Sequence, residues 1–430
     1  MDAPKLVERR YLLPFILITS LFALWGFAND ITNPMVAGFQ TIMELSAAKA
    51  SLIQFAFYGG YATMAVPAAL FIRRFSYKKG ILLGLLLYAV GAFLFIPAAA
   101  RESFTFFCLS LYILTFGLAF LETTANPFIL SLGAKENSTR RLNLAQAFNP
   151  IGSLTGMAVA SWVVLPGLLS DKHRDGAGVN HFAELADSVK ATERVHDLGV
   201  IRDAYVALGI AVVVVFIIIA VTKMPKTAGS GVRAKGTLGR LWRNVNYREG
   251  VLAQMFYVGA QIMTWTFIIQ YADNLGIDKA TAQKFNIIAM GIFLGFRFIS
   301  TFLMKYVNSR KLLAIFGCGA AASTLGAILF VGPLGLGCLV AVSAFMSLMF
   351  PTIYGISLEN VSPEDSTLGA SFLVMAIVGG SILPPLQGSI IDLGTVCSHP
   401  AVNVSFCLPL FCFLVIIAYG IRSARRMKTV

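Results

Sequence analysis

Residues 24–34, LWGFANDITNP, place the carboxylate of Asp30 deep inside the first hydrophobic segment of the chain. That segment begins near Tyr11, so Asp30 lies about 20 residues, or about 30 Å of helix, from its start. A carboxylate at such a depth costs several kcal/mol if it faces lipid. We therefore expect Asp30 to face protein or a water-filled cavity.

A second acid, Glu122 in residues 120–128, FLETTANPF, lies in the same kind of environment in a later hydrophobic segment. No other acid in the sequence lies well inside such a segment. We expect the two acids to share one polar cavity of a transporter and at least one of them to carry a coupling proton. Alternating access changes the hydration of a buried carboxyl and hence its proton affinity, as coupling requires. The alternatives are structural: Asp30 is held by a neighbour near the outer mouth, or Glu122 is permanently protonated and bonded to another helix.

The composition excludes a soluble globular protein, because 57% of the residues are hydrophobic and only 13% are charged. Hydrophobic windows long enough to span a bilayer predict an all-α membrane protein with twelve transmembrane helices in two six-helix pseudo-symmetric halves. The predicted windows are residues 11–38, 47–72, 79–100, 103–132, 142–170, 200–223, 247–272, 280–305, 310–331, 333–358, 366–391 and 400–422.

The net charge of +13 is spread over the loops between the windows, which argues against a nucleic-acid partner. Of the basic residues, 24 fall on the side of the termini, nine on the opposite side and one within a window. The positive-inside rule then places both termini in the cytoplasm of a multi-pass protein of the bacterial inner membrane. The polar segment 224–246 predicts a linker between an N-terminal half, residues 1–223, and a C-terminal half, residues 247–430. Two such halves predict a binding site between them near the membrane midplane.

Amide side chains recur at helical spacing in several windows. Asn143, Gln146 and Asn149 are three residues apart and share one helix face, and Gln261 lies four residues before Trp265. Amides and a stacking aromatic ring suit a sugar, since each hydroxyl both donates and accepts hydrogen bonds. A single amide in a span more often bonds a neighbouring helix, but amides repeated on several spans favour a pore for a polar solute. The candidate substrate contacts are Asn29, Asn33, Gln54, Asn126, Asn143, Gln146, Asn149, Gln261 and Trp265.

Arg297 is the only base well inside a hydrophobic window, and two interpretations of it stay open. Its long side chain either extends toward the cytoplasmic face near Lys305 or pairs with an acid in the cavity.

Several stretches of the chain resemble one family of transporters: SLFALW at 20–25, LIQFAFY at 52–58, LETTANPF at 121–128, RLNLAQ at 141–146, YVGAQ at 257–261 and SAFMS at 343–347. This is the fucose–galactose–glucose:proton symporter family of the major facilitator superfamily, and the resemblance runs through nearly all spans. It implies a twelve-helix fold with inward and outward states, and proton-coupled monosaccharide uptake with no cofactor beyond the proton gradient. It also implies a proton-linked sugar contact at Glu122, sugar amides at Gln146 and Asn143, and aromatic contacts at Phe293 and Trp265.

The chain departs from the family pattern at two places. The pattern has an asparagine followed three residues later by the coupling aspartate, whereas here Asp30 comes first and Asn33 second. We therefore take Asp30 as the hypothetical coupling acid. Phe350 stands where the pattern has a tyrosine before Pro351, which removes a hydroxyl from the expected substrate site. The sequence consequently leaves the identity of the sugar open.

The leading hypothesis is a monomeric proton–sugar symporter whose partners are the sugar, the proton and the lipid bilayer. The same fold also suits sodium-coupled uptake, with Asp30 and Asn29 as hard oxygen ligands, or export of another small polar solute. We do not expect an enzyme, because no histidine, metal cluster or nucleophile–base pair lies in a predicted span.

Overall fold

The computed structural model describes residues 6–45, 52–173, 180–225, 236–277, 279–391, 393–396 and 399–426, which form an almost entirely helical bundle. As predicted, twelve helical stretches in this part of the chain are long and apolar enough to cross a membrane. The six spans of the first half are Leu12–Ile42; Leu52–Arg74; Tyr77–Phe93 with Phe95–Ala100; Phe104–Ser131; Ser138–Gln146, Phe148–Val159, Ala160–Val164 (π-helical) and Leu165–Gly167; and Asp187–Val221.

The second half adds six spans: Val245–Asp273; Lys279–Leu303; Ser309–Leu329; Pro333–Met346 with Met349–Leu358; Pro363–Met375, Ala376–Val378 (3₁₀) and Gly379–Ile391; and Ala401–Ser405 with Cys407–Arg426. Between the halves lies a short helix, Thr237–Arg243. Short 3₁₀ turns occur at Arg9–Tyr11, Lys135–Asn137, Ser170–Lys172 and Phe182–Glu184, and a two-residue antiparallel ladder joins Thr395–Val396 to His399–Pro400.

The sixth span differs most from its predicted limits, because its helix begins at Asp187 rather than near residue 200. The added turns are polar, so a window of hydrophobicity does not detect them. They project beyond the apolar part of the helix, where Lys190 and Arg194 pair with Glu44 near the end of the first span. The early start of this helix is therefore an extension outside the membrane.

The fifth span is broken at Ala147, which ends one helix and precedes the next. Its second part packs closely against the first span through glycine. A Cβ on Gly26 would overlap the carbonyl oxygen of Asn149, and one on Gly152 would overlap the carbonyl oxygen of Ala23. Small residues at a helix crossing allow this approach. The crossing brings the polar turn of the first span beside the amide-bearing face of the fifth.

The two halves are hydrogen-bonded to each other on one side of the bundle. We call it the terminal side, because the described chain begins and ends there after an even number of spans. The hydroxyls of Tyr77 and Thr367 are 3.3 Å apart, and the Asn143 amide donates to the Thr352 hydroxyl at 3.1 Å. Each pair joins a residue of the first half to one of the second. The structure is therefore closed on the terminal side.

The helix Thr237–Arg243 lies within the predicted linker and is bonded to both halves. Arg240 donates two hydrogen bonds of 2.7 Å to the carboxylate of Asp365, at the start of the eleventh span. Arg73 of the second span donates to the Thr237 hydroxyl at 3.2 Å. Residues 226–235 of that linker lie outside the described residues, and the division of the chain into 1–223, 224–246 and 247–430 stays a prediction.

Candidate functional site

A cavity of about 930 Å³, the open space at its mouth included, lies between the two halves of the bundle. Spans one, two, four and five line one wall, and spans seven, eight, ten and eleven line the other. Its lining consists of Phe22, Trp25, Asn29, Asp30, Tyr58, Tyr61, Glu122, Gln146, Asn149, Pro150, Ser153, Val258, Gln261, Ile262, Trp265, Met290, Phe293, Arg297, Phe350 and Ile377.

Both intramembrane acids line this one cavity, on the wall formed by the first half. Asp30 is only 6% exposed, and Glu122 is half-buried. Neither carboxyl faces lipid. The free-energy cost of placing a carboxylate against lipid is therefore avoided, because both acids line a polar cavity. A carboxyl that opens onto a water-accessible cavity can gain or lose a proton there when the cavity changes sides.

The amides of the fifth span are held in place by the first and fourth spans. The Gln146 side-chain nitrogen donates to the Asn126 side-chain oxygen at 2.8 Å, and the Asn149 nitrogen donates to the backbone carbonyl of Phe22 at 3.2 Å. The side-chain oxygens of Gln146 and Asn149 accept no hydrogen bond from another described residue. Two oriented amide oxygens therefore face the cavity as acceptors for hydroxyl groups.

The opposite wall is mainly aromatic and aliphatic. The Trp265 and Phe293 rings lie 5.0 Å apart at 82°, an edge-to-face arrangement, and the Trp265 N–H donates to the Ser343 hydroxyl at 3.1 Å. Phe350 lies on the same wall, beside Tyr354 at a ring-centroid distance of 6.3 Å. Edge-to-face packing and the indole hydrogen bond fix these rings. The cavity is thus polar on one side and apolar on the other, which matches a molecule with hydroxyl groups and a C–H face.

Two predicted sugar contacts lie below the cavity instead of in it. Asn126 is fully buried, and its amide is used by Gln146 and by the backbone carbonyl of Glu122, to which it donates at 3.2 Å. Asn143 is also fully buried and bonds across the halves to Thr352. Shared helical spacing predicted one common face for Asn143, Gln146 and Asn149. Asn143 lies nearest to the start of this span, where the halves are in contact and Thr352 accepts from its amide.

The remaining predicted contacts divide into two groups. Asn29, Gln146, Asn149, Gln261, Trp265, Phe293 and Phe350 line the cavity, and their contact with a substrate stays a prediction. The side chains of Asn33 and Gln54 lie outside the described residues.

Arg297 follows neither of the two interpretations drawn from the sequence. Its side chain is 4% exposed and lines the cavity, so it does not extend to the membrane face. In the described part of the chain it forms no ion pair with an acid. Its guanidinium lies 4.7 Å from the Phe293 ring centroid and donates to the backbone carbonyl of Gln146 at 3.2 Å. Arg297 thus joins the two halves at the floor of the cavity.

The sequence-based search for substrate contacts missed several lining residues, namely Phe22, Ser153, Val258, Ile262, Met290 and Ile377. Ser153 follows Asn149 by four residues, a helical spacing that extends the amide face and was available as a signal. The other five residues are apolar and gave no signal in the sequence, because a hydrophobic residue that faces the cavity has the same sequence pattern as one that faces lipid.

Comparisons with known proteins agree with this architecture. Residues 16–385 match the family model of the Major Facilitator Superfamily. The chain is 61% identical to an L-fucose-proton symporter of Haemophilus influenzae over 99% of both chains. It is 34% identical to the L-fucose-proton symporter of Escherichia coli, over 96% of this chain and 93% of that protein. A glucose/galactose transporter of Brucella abortus is 29% identical over 96% of this chain and 95% of its own length.

Among solved structures, the fold matches a Major Facilitator Superfamily transporter, FucP, in the outward conformation. The TM-score is 0.88 at 33% identity, and the match covers 96% of this chain and 99% of the other. Twelve spans, two halves with a cavity between them and a family match over most of the length lead to one conclusion. The chain belongs to the Major Facilitator Superfamily.

Proposed function

We propose that this protein imports a monosaccharide by proton symport, with the central cavity opening alternately to the two sides of the membrane. The observation that carries the proposal is the pairing of two carboxyls with oriented amide oxygens in one cavity, opposite an aromatic wall. Relatives at 61% and 34% identity that are named L-fucose-proton symporters support the same reading.

The substrate that fits best is a deoxy sugar of the L-fucose type. Its hydroxyls suit the amide wall, and its methyl group and C–H face suit the wall of Trp265, Phe293 and Phe350. Phe350 offers no hydroxyl, so that side of the cavity favours a carbon substituent over a polar one. Glucose and galactose carry a hydroxymethyl group at this position and are the natural comparison substrates.

Proton coupling is assigned to Glu122 and Asp30. The backbone carbonyl of Glu122 accepts a hydrogen bond from Asn126, whose side chain in turn fixes the sugar-site amide of Gln146. A change in the charge of Glu122 therefore acts close to a group that contacts the sugar. Asp30 supplies the second carboxyl on the same wall, five residues after Trp25.

The orientation of the protein in the membrane follows from the charge distribution. With 24 basic residues on the terminal side and nine on the other, the positive-inside rule assigns the terminal side to the cytoplasm. The cytoplasmic side is then the closed one, and the described state is ready to receive sugar from outside. We propose a location in the bacterial inner membrane with both termini cytoplasmic.

The test is uptake of radiolabelled L-fucose into proteoliposomes, driven separately by an imposed proton gradient and by an imposed sodium gradient in otherwise matched buffers. We expect accumulation with the proton gradient and its loss when a protonophore is added. Competition by D-glucose, D-galactose, D-xylose and L-rhamnose then ranks the sugars. Accumulation that follows sodium at constant pH would overturn proton coupling, and a panel in which no monosaccharide competes would overturn the sugar site.

A further inference from the structure

The fifth and eighth spans, one from each half, are joined by two reciprocal hydrogen bonds from arginine to backbone carbonyl. Arg297 of the eighth span donates to the Gln146 carbonyl of the fifth at 3.2 Å. Arg140 of the fifth span donates to the Thr301 carbonyl of the eighth, also at 3.2 Å. Both bonds lie between the cavity floor and the terminal side. We name this four-residue set, Arg140, Gln146, Arg297 and Thr301, the arginine clamp.

Local sequence explains why both carbonyls are free to accept. In a helix the Gln146 carbonyl would bond to the N–H of the residue four positions on, but that residue is Pro150, which has none. Thr301 lies in the last turn of its helix, and the N–H of Lys305 bonds to Phe302 instead. Two carbonyls that their own helices leave unpaired are thus bonded to a cation of the opposite half.

The Arg297 side chain of the clamp is buried and has few other polar contacts. Arg297 is 4% exposed, and its guanidinium stacks on Phe293. Its Nε atom is buried and has no hydrogen-bond partner, so the single bond to Gln146 is the main polar contact that holds this head group. An ionised donor makes a stronger hydrogen bond than a neutral one. The bond is lost if the two halves separate on the terminal side.

The clamp also connects to the proposed proton site through three successive hydrogen bonds. Asn126 donates to the Glu122 backbone carbonyl at 3.2 Å, Gln146 donates to Asn126 at 2.8 Å, and Arg297 donates to Gln146 at 3.2 Å. Gln146 therefore faces the cavity with its side chain and holds the opposite half with its backbone. A displacement of Gln146 by sugar acts on both groups at once.

We propose that the arginine clamp holds the terminal side closed, and that Arg297 is a positioning residue that sets the balance between the closed and the open arrangement of the two halves. The proposal rests on the alternating-access transport proposed above. When the halves part, both guanidinium groups leave their carbonyls and are rehydrated by the opening pathway, which makes the clamp reversible.

The test measures the opening of the terminal side directly by double electron–electron resonance. Spin labels are placed at Arg74→Cys and Lys311→Cys, exposed sites of the two halves on that side, in a background without the six native cysteines that retains uptake. We expect one short-distance and one long-distance population in lipid nanodiscs. Arg297→Met should raise the long-to-short ratio by about tenfold, the effect of losing a charge-assisted hydrogen bond.

Matched variants separate the clamp from general damage. Arg140→Met should shift the ratio in the same direction by a smaller factor, because Arg140 is only half-buried. Arg297→Lys, which keeps a cationic donor, should recover part of the wild-type ratio. Lys305→Met, an exposed base at the end of the same helix, should leave it unchanged. Loose packing would broaden both distances, whereas the clamp changes their ratio and leaves their positions in place.

An unchanged ratio in Arg297→Met overturns the proposal, and so does an equal shift in Lys305→Met. If Arg297→Met does not fold, the test rests on Arg140→Met, and an unchanged long-to-short ratio in that variant overturns the proposal. The measurement uses neither sugar nor an ion gradient. A failed clamp is therefore distinguishable from a failure of the proposed sugar transport.

Discussion

The first half of the chain lines the cavity with carboxyls, amides and tyrosines, whereas the second half lines it mainly with aromatic and aliphatic side chains. The two halves share six-span architecture, so the difference comes from side chains and not from the scaffold. Polar groups gathered on one half can bind hydroxyls and protons as one rigid unit. In the proposed transport cycle, an apolar wall can close over the sugar without competing for its hydroxyls.

Gln261 and Arg297 are the two strongly polar exceptions on the apolar wall. Arg297 donates its hydrogen bond to the backbone of the opposite half and not to an acid of the cavity. The exception thus supports the contrast: both acids lie on the wall of the first half, and the charge on the second half is used for contact between the halves.

The largest effect is expected from Glu122→Gln, which removes a titratable group from the polar wall and keeps its shape. Accumulation of sugar driven by a pH gradient should fall to the level of empty liposomes, because the glutamine exchanges no proton. Exchange of labelled for unlabelled sugar at equal pH should persist, since it needs no net proton movement. Comparing the two assays on the same vesicles checks this, and full pH-driven accumulation would leave Glu122 only a structural role.

Asp30→Asn should also abolish pH-driven accumulation while sugar binding is retained. The matched control is the double variant Asp30→Asn with Asn33→Asp, which restores the order of the family pattern. Coupled uptake in the double variant but not in the single one would show that a carboxyl on this turn is required, at either position. Normal accumulation in Asp30→Asn would remove this acid from the mechanism.

Gln146→Ala should weaken sugar binding by about tenfold or more, because it deletes an acceptor and leaves Asn126 without its buried partner. The dissociation constant from equilibrium binding in detergent measures this. Gln261→Ala on the apolar wall is the comparison, with a smaller expected loss. Equal losses in the two variants would contradict the assignment of hydroxyl recognition to the first half.

Sequence reasoning reached the fold and the two acids because a carboxylate inside an apolar span has few acceptable environments. It did not predict that Asn126 bonds Gln146 or that Asn143 bonds Thr352 of the other half, so that both amides are engaged by protein groups. Such contacts between distant spans leave no trace in a single sequence. The apolar wall was found only through the family resemblance, as at Phe293, or through an amide neighbour, as at Trp265.

Trp265→Leu tests the apolar wall and should weaken sugar binding by roughly threefold to tenfold, the value of an oriented aromatic contact. Trp265→Phe, which keeps a ring but loses the N–H bonded to Ser343, should show a smaller loss. Binding measurements on both variants separate stacking from ring orientation. A leucine variant with wild-type affinity would show that the aromatic wall only fills space.

The smallest effect, and the one that sharpens the contrast between the walls, is expected from Phe350→Tyr. The substitution places a hydroxyl on the apolar wall, where a net hydrogen bond contributes about 1 kcal/mol if a partner is met. A methyl group of L-fucose at this wall offers none, whereas the hydroxymethyl group of D-galactose does. Competition assays should therefore show the preference for L-fucose over D-galactose decreasing severalfold, with coupling to protons unchanged. If the preference instead increases, the sugar binds with its hydroxyls toward Phe350, and the roles of the two walls in recognition are reversed.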